Sequence, residues 1–368
     1  MPRGSRLVPL AMLVAVAALA PGTAIAQGGA TAQPRIVGGN TASISTYPWQ
    51  VGVVYSSAQL PSRNAQQREI CGGELITSRI VMTAGHCVAD SDPDCGPEAL
   101  QGRPPLCTPI SDPGGDGTAM IDSNDLDVVL GRSTLTNTSE GAEVGVQAVK
   151  LGTSFDGDFQ GDGVPRFDAA YLVLPAPSGQ TPIKIAGTDE GALWDADSVE
   201  EISGWGSTSE SGSPVDTLRA ATVNVVADST CSGDYGSDFD ASTMVCAGFQ
   251  TGGVDTCFGD SGGPLEAPLQ GGGYRLVGIT GWGKGCAEAG FPGVYTRVAG
   301  PTMRSLISSD LSSLGVSPAT VFGSGGQPRV SSSTLGSRAS HSATRRKKCK
   351  RIYNRKKRKR CRKKARAA

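Results

Sequence analysis

The segment Gly259-Asp-Ser-Gly-Gly-Pro264 surrounds one serine with glycines and places an acid directly before it. A serine hydroxyl is a weak nucleophile at neutral pH. It attacks a carbonyl when a base within hydrogen-bond reach takes its proton and a third group holds that base. N–H donors must also receive the developing oxyanion. The chain has two histidines. His341 lies in a Ser-rich stretch with nothing to position it. His86 lies in Val81-Met-Thr-Ala-Gly-His-Cys87, directly after an apolar run, and is the candidate base. A buried structural histidine reads the same way, and the residues alone leave both readings open. Asp156, Asp158, Asp162 and Asp168 are the nearby acids for the third role. Only Asp168 directly precedes an apolar run, where a carboxylate can be buried against an imidazole.

These groups are far apart in the chain, so a fold must bring them together. The 368 residues suffice for one large or two ordinary domains. The 51 glycines and 18% charged residues favour short strands and turns over long helices. Short apolar runs at 49–55, 74–83, 126–130, 143–151, 170–174, 218–226 and 274–282 are separated by Gly, Pro, Ser, Asn and Asp. That pattern predicts an all-β sandwich or barrel. One helix is expected at 300–313. Residues 89–123 are rich in Pro, Gly and Asp and read as a surface insertion with its own disulfide, Cys95 to Cys107. Residues 314–344 have Ser/Gly/Thr-rich linker composition.

The formal net charge of zero hides an asymmetry. Residues 345–368 carry 16 of the 34 Lys+Arg and no acid. Residues 36–344 carry 15 Lys+Arg against all 34 Asp+Glu, a formal charge of −19. The protein is an acidic body with a cationic tail. Such a tail is either a solvated run or an attachment to polyanions, of which an anionic cell-envelope polymer or a membrane surface fits an exported chain better than nucleic acid. Tyr353 is its only aromatic residue, which argues against nucleic acid as a partner. Cys349 and Cys361 lie within it.

The N-terminus reads as a secretory signal over 1–26. Arg3 and Arg6 precede the apolar run 7–20, and Ala24-Ile-Ala26 offers a small-x-small cleavage site. The apolar run is shorter than the ~18 residues a membrane span needs. Export fits the ten cysteines, whose even number favours disulfides. No Cys-x-x-Cys pair occurs, and histidine is scarce, so zinc is not indicated.

Ile36-Val-Gly-Gly39, Thr83-Ala-Gly-His-Cys87, Asp168-Ala-Ala-Tyr-Leu-Val-Leu174 and Gly259-Asp-Ser-Gly-Gly-Pro264 occur in this order, followed by Gly281-Trp-Gly283 and Pro292-Gly-Val-Tyr295. Over about residues 36–310 the chain resembles a trypsin-like serine protease of the chymotrypsin fold. The resemblance implies two packed six-stranded antiparallel β-barrels with a C-terminal helix, the protease domain spanning 36–313. It implies His86 as base, Asp168 as its orienting acid, Ser261 as nucleophile, and the N–H groups of Gly259 and Ser261 as oxyanion hole. Asp255 would lie at the base of a pocket selecting Arg or Lys, with Gly283 and Gly293 in its walls and Gly281, Trp282 and Gly283 as the substrate-binding edge.

Residues 27–35 then read as a propeptide. Cleavage after Arg35 would free the ammonium of Ile36 to pair with Asp260, and because Arg35 suits the pocket, self-activation is conceivable. The implied disulfides are Cys71–Cys87, Cys231–Cys246 and Cys257–Cys286. The chain departs from the family at Gly281, where a serine usually donates to the triad aspartate, and at Gly85, usually alanine, where little effect is expected. After Leu130-Gly131 comes Arg132, with acids only at Glu140 and Glu143, which argues against a calcium loop. No metal or cofactor is expected. The expected function is a secreted endopeptidase acting on proteins or peptides. The competing readings are a catalytically silent binding module on the same fold and a surface-attached scaffold acting through the tail.

Overall fold

The computed structural model describes residues 36–90, 119–157 and 164–329. The signal peptide, the propeptide with Arg35, Cys95, Cys107, Asp158, Asp162, His341 and the basic tail lie outside the described residues.

Two sheets close on themselves. In the first, Gln50–Tyr55 pairs with Glu69–Leu75 on one side and Leu126–Leu130 on the other. The order continues from Glu69–Leu75 through Ile80–Thr83 to Ala170–Val173. The segment 142–151 joins the two free edges. Its first half, Ala142–Gly145, pairs with Leu126–Leu130, and its second half, Ala148–Leu151, pairs with Ala170–Val173. The second sheet runs Val199–Gly204, Pro264–Pro268, Tyr274–Trp282, Gly293–Thr296, Met244–Gly248, Arg219–Val226 and back to Val199–Gly204. Counting 142–151 as one bent strand, each barrel has six. Closure leaves no long unpaired edge. The expected all-β fold of two barrels is the fold observed.

The barrel interiors explain the strand patterns. Val51, Val53, Leu75, Val81, Met82, Val128 and Leu172 fill the first. Ile202, Val223, Val225, Val245, Leu265, Val277 and Tyr295 fill the second, and Ile36 is fully buried among them. The helix Pro301–Ser313 starts with Pro at its first turn and buries Met303, Ile307 and Leu311 at helical spacing in the cluster of the first barrel. Asp310, buried on the same helix, accepts hydrogen bonds from the N–H and hydroxyl of Thr153 and pairs with Lys150 at 3.2 Å. The C-terminal helix thus straps the barrels together.

Two expectations need correction. The run 74–83 is not one strand. Thr77, Ser78 and Arg79 make a tight turn between Glu69–Leu75 and Ile80–Thr83, with the Thr77 hydroxyl capping the N–H groups of Arg79 and Ile80. The linker expected from 314 does not begin there. Residues 314–329 pack on the body: Val321 is fully buried, Phe322 bridges Ile185, and Pro328 bridges Leu269. The buried carboxylate of Glu190 anchors this extension by accepting from the N–H groups of Gly187 and Gly326 and pairing with Arg275 at 3.1 Å. Composition alone hid this, because the anchor lies elsewhere in the chain. At the two ends of the expected insertion, Ala89–Asp90 pairs with Ala119–Met120.

Candidate active site

The cleft forms where the first barrel's loop after Ile80–Thr83 meets the second barrel's loop before Pro264–Pro268. His86 sits in a single turn, Gly85–Cys87, entered from Ala84 in extended conformation. Asp168 precedes Ala170–Val173, the strand paired with Ile80–Thr83, so sheet pairing sets the two side by side. Asp168 Oδ2 lies 2.7 Å from His86 Nδ1, and Oδ1 accepts the His86 backbone N–H at 2.9 Å. The Thr296 hydroxyl donates to the Asp168 carbonyl. Asp168 is buried, whereas Asp156 is exposed. Burial alone would lower the His86 pKa. The charge of Asp168 and its hydrogen bond outweigh burial, and the net shift is upward from 6.5.

Ser261 is held against the same corner. The Gly72 N–H donates to the Ser261 carbonyl at 2.8 Å, and Cys87 Sγ lies 3.6 Å from that oxygen. The Cys71–Cys87 disulfide therefore ties the strand that holds Ser261 to the turn that holds His86. Gly262 shows why the nucleophile's neighbour has no side chain. Its φ is +76°, and a Cβ there would meet the Thr83 hydroxyl at 2.2 Å and the Gly72 carbonyl at 2.8 Å. The N–H groups of Asp260, Gly262 and Gly263 are bonded to the carbonyls of Cys257, Thr280 and Asp260. Gly259 also has positive φ, +95°, and turns the chain just ahead of Ser261.

Beside Ser261 lies a cavity of about 240 Å³, lined by Asp255, Thr256, Ser261, Gly281, Trp282, Gly283, Cys286 and Gly293 among others. Asp255 is buried, and its oxygens accept from the N–H groups of Thr256 at 2.9 Å and Ala287 at 3.1 Å. Burial pushes its pKa up to about 7, against the effect of those donors. A Cβ on Gly293 would stand 2.5 Å from Asp255 Oδ1, so glycine keeps the carboxylate open to the cavity. Trp282 packs edge-on against Tyr235, with ring centroids 4.8 Å apart. The Cys257–Cys286 disulfide closes the cavity wall, and Cys231–Cys246 staples the outer barrel. The three implied disulfides are all formed.

Asp260 points away from the cleft and is fully buried. Its oxygens accept from Gly206 N–H at 2.8 Å and Cys257 N–H at 2.9 Å. Burial drives its pKa up to about 7, and the neighbouring Asp255 charge adds to this.

This layout decides the family. The family model described as Trypsin matches residues 36–101 and 118–306. The chain belongs to the trypsin family. It is 35% identical over 263 residues to a trypsin of Saccharopolyspora erythraea, covering 72% of this chain and 93% of that one. It is 32% identical over 266 residues to trypsin-1 of Astacus astacus, covering 72% and 95%. A trypsin-like protease of Streptomyces glaucescens is 31% identical over 290 residues, covering 78% and 86%. The chain is a trypsin-like serine endopeptidase, a hydrolase acting on proteins or peptides.

The geometry adds three details to this trypsin-family site, of which the exposure of Phe258 had no signal in the sequence. Phe258 is 61% exposed on the lip of the cavity. Gly85 is pressed by Phe155, whose ring would lie 2.4 Å from a Cβ there, so alanine is not the neutral exchange that was expected. At Gly281 a Cβ would lie 3.7 Å from Asp168 Oδ2, so a serine there could reach the carboxylate. Among the described residues, the one grouping of three metal-ligand types is Cys71, His86 and Cys87, whose sulfurs are spent in the disulfide. The loop after Gly131 is organised by Arg132, which donates to the carbonyls of Leu135 and Glu140. Among the described residues, no helix is long and apolar enough to cross a membrane.

Proposed function

We propose that the chain is exported as a zymogen and, after cleavage between Arg35 and Ile36, hydrolyses peptide bonds following Arg or Lys through His86, Asp168 and Ser261. The observation that carries the mechanism is the 2.7 Å contact between Asp168 and His86 Nδ1, in the corner that also holds Ser261. Asp168 keeps the Nδ1 proton in place, so Nε2 is free to take the Ser261 proton. Oγ attacks the carbonyl, the oxyanion is received by the N–H groups of Gly259 and Ser261, and the imidazolium protonates the leaving amine. Water then repeats the sequence on the acyl-enzyme.

The specificity reading rests on Asp255. Its buried carboxylate meets two N–H donors, and a cationic side chain entering the cavity supplies the charge that burial calls for. Asp260 supports the activation reading in the same way, with the new ammonium of Ile36 as the cation. The basic tail then holds the exported enzyme to an anionic envelope polymer.

The test is cleavage of short amide substrates ending in Arg, Lys, Phe or Ala by protein cut after Arg35, with Ser261→Ala as control. Fast Arg and Lys cleavage, lost in the control, is expected. Activity on Phe instead would keep the triad and reject the role of Asp255. Release of the native enzyme from host cell walls by salt, lost on deletion of 345–368, checks the tail.

A further inference from the structure

Two buried carboxyl groups lie on strands of the two barrels that contact each other beside Ser261. Glu74 lies on Glu69–Leu75 of the first barrel and Glu266 on Pro264–Pro268 of the second. Neither is exposed to solvent. Glu74 stands opposite Gln50 in the strand register, and the Ser203 hydroxyl reaches both Gln50 Oε1 at 2.7 Å and Glu266 Oε1 at 3.3 Å. Gln50 and Ser203 are themselves buried. This polar layer joins the barrels.

The two carboxyls are not equivalent. Glu266 accepts a hydrogen bond from Trp49 Nε1 at 2.7 Å besides the Ser203 contact. Neither oxygen of Glu74 has a hydrogen-bond partner. Among the described residues, neither group has an ion-pair partner. Their charged surroundings are acidic. Glu201 is the strand partner of Glu266 and accepts from the Tyr47 and Tyr274 hydroxyls at 2.7 and 2.9 Å. Glu200, also buried, feels Glu266 and Glu201. At the rim, Arg329 lies 3.9 Å from Glu201 and is 53% exposed. Burial first, and Glu266 second, push the Glu74 pKa far up; burial, with Glu201, also pushes Glu266 well above the ordinary glutamate value, but there the Trp49 and Ser203 donors oppose it. Two buried anions without a cation are costly, and donors on one member decide which keeps the charge.

The pair is mechanically linked to Ser261. On the Glu74 strand, Gly72 donates to the Ser261 carbonyl. A Cβ on Gly72 would meet Gly263, which leads into the Glu266 strand, at 3.0 Å. The barrels therefore touch backbone to backbone between the acid pair and the nucleophile.

We propose that Glu74 and Glu266 are positioning residues: in the working enzyme Glu74 is an uncharged carboxylic acid, and any negative charge the pair carries sits on Glu266. Loss of the Glu74 proton to water spreads the barrels and moves Ser261 off the His86 corner. The catalytic half rests on the triad reading above; the protonation half does not.

The experiment uses the full matured chain and its Ser261→Ala counterpart, each with and without Glu74→Gln. Infrared difference spectra of the Ser261→Ala proteins near pH 8 are expected to show a carboxylic-acid carbonyl band that Glu74→Gln removes. Because the folded pKa of Glu74 is raised, its contribution to stability is full below the ordinary glutamate pKa and falls as pH rises towards the folded value. Glu74→Gln is therefore expected to remove one proton's worth of the decline in stability as pH rises above the ordinary glutamate range. In the active enzyme it should move the alkaline fall of kcat up by about one pH unit or more, with KM unchanged. Glu266→Gln, which removes the repulsion instead, should shift the same limb and serves if Glu74→Gln does not fold. A Tm slope identical to the parent's, or an acid band that survives the substitution, overturns the protonation. A lost band with an unmoved kcat limb overturns the positioning role. The infrared and Tm readings need no activity, so they stand even where the protease reading fails.

Discussion

Asp168 and the pair Asp255–Asp260 are buried to similar degrees, yet they are satisfied differently. Asp168 has a side-chain hydrogen-bond partner inside the protein: the imidazole of His86, 2.7 Å away, supplied by the same barrel. Asp255 meets the N–H groups of Thr256 and Ala287 and the Thr256 side chain, Asp260 meets the N–H groups of Gly206 and Cys257, and burial raises both towards about 7. The first carboxylate is complete in the folded chain. On the reading proposed above, the other two would be completed by a charge from outside, one by substrate and one by a new chain end. The difference separates residues that perform the reaction from residues that license it.

That contrast can be broken at either side. The largest effect is expected from Asp168→Asn. The amide can present its N–H₂ to Nδ1 and leave the ring in the wrong tautomer, so kcat should fall by about 10⁴-fold with KM little changed. Steady-state kinetics on an Arg amide substrate measure it. Asp255→Asn should leave the triad working while removing the cation's partner. A loss in kcat/KM for Arg substrates of about 10²–10⁴-fold, the equivalent of ~3–5 kcal/mol, is expected, with Phe substrates gaining in relative terms.

The activation reading is sharpened by pH. In uncut Ser261→Ala protein, Asp260 titrates near about 7 instead of 3.8. A raised folded pKa means that stability is full below the unfolded value and is lost as pH rises from about 4 through about 7. Cutting after Arg35 should flatten that loss, because the ammonium favours the carboxylate. Thermal unfolding of cut and uncut protein at several pH values decides it. An unchanged slope after cutting would mean that Ile36 does not reach Asp260.

Two small effects follow. Gly85→Ala must displace the Phe155 ring and should destabilise by about 1–3 kcal/mol in chemical denaturation. Gly281→Ser should add one donor to Asp168, strengthening the carboxylate by about 1 kcal/mol and changing kcat by less than about tenfold.

Much of the site was legible because its chemistry demands rare residue types. With His341 in a Ser-rich stretch, His86 stood out as the base, and Asp168 was distinguished by the apolar run that follows it. Strands with strong apolar runs, such as Leu126–Leu130 and Tyr274–Trp282, were read with correct bounds. Val199–Gly204 was missed because its glutamates look like surface residues. Pro264–Pro268 was missed because two prolines and a glutamate obscure it. Both are strands because partners on either side bury them, and burial is not written in a local window.

The amino-acid sequence by itself determined the family and with it the reaction class, since the order and spacing of a few motifs carry His86, Asp168 and Ser261, the residues proposed as base, orienting acid and nucleophile. It also determined the division into an acidic body and a cationic tail. Only the tertiary structure decided which charges have partners. Glu74 and Glu266 are ordinary acids in the chain and become a buried pair because two barrels close over them. Residues 314–329 read as a linker and become part of the body because Glu190 waits on the far side of the sequence. The energy of a charge or a backbone donor depends on what surrounds it in three dimensions, and that surrounding is assembled from segments that no local reading joins.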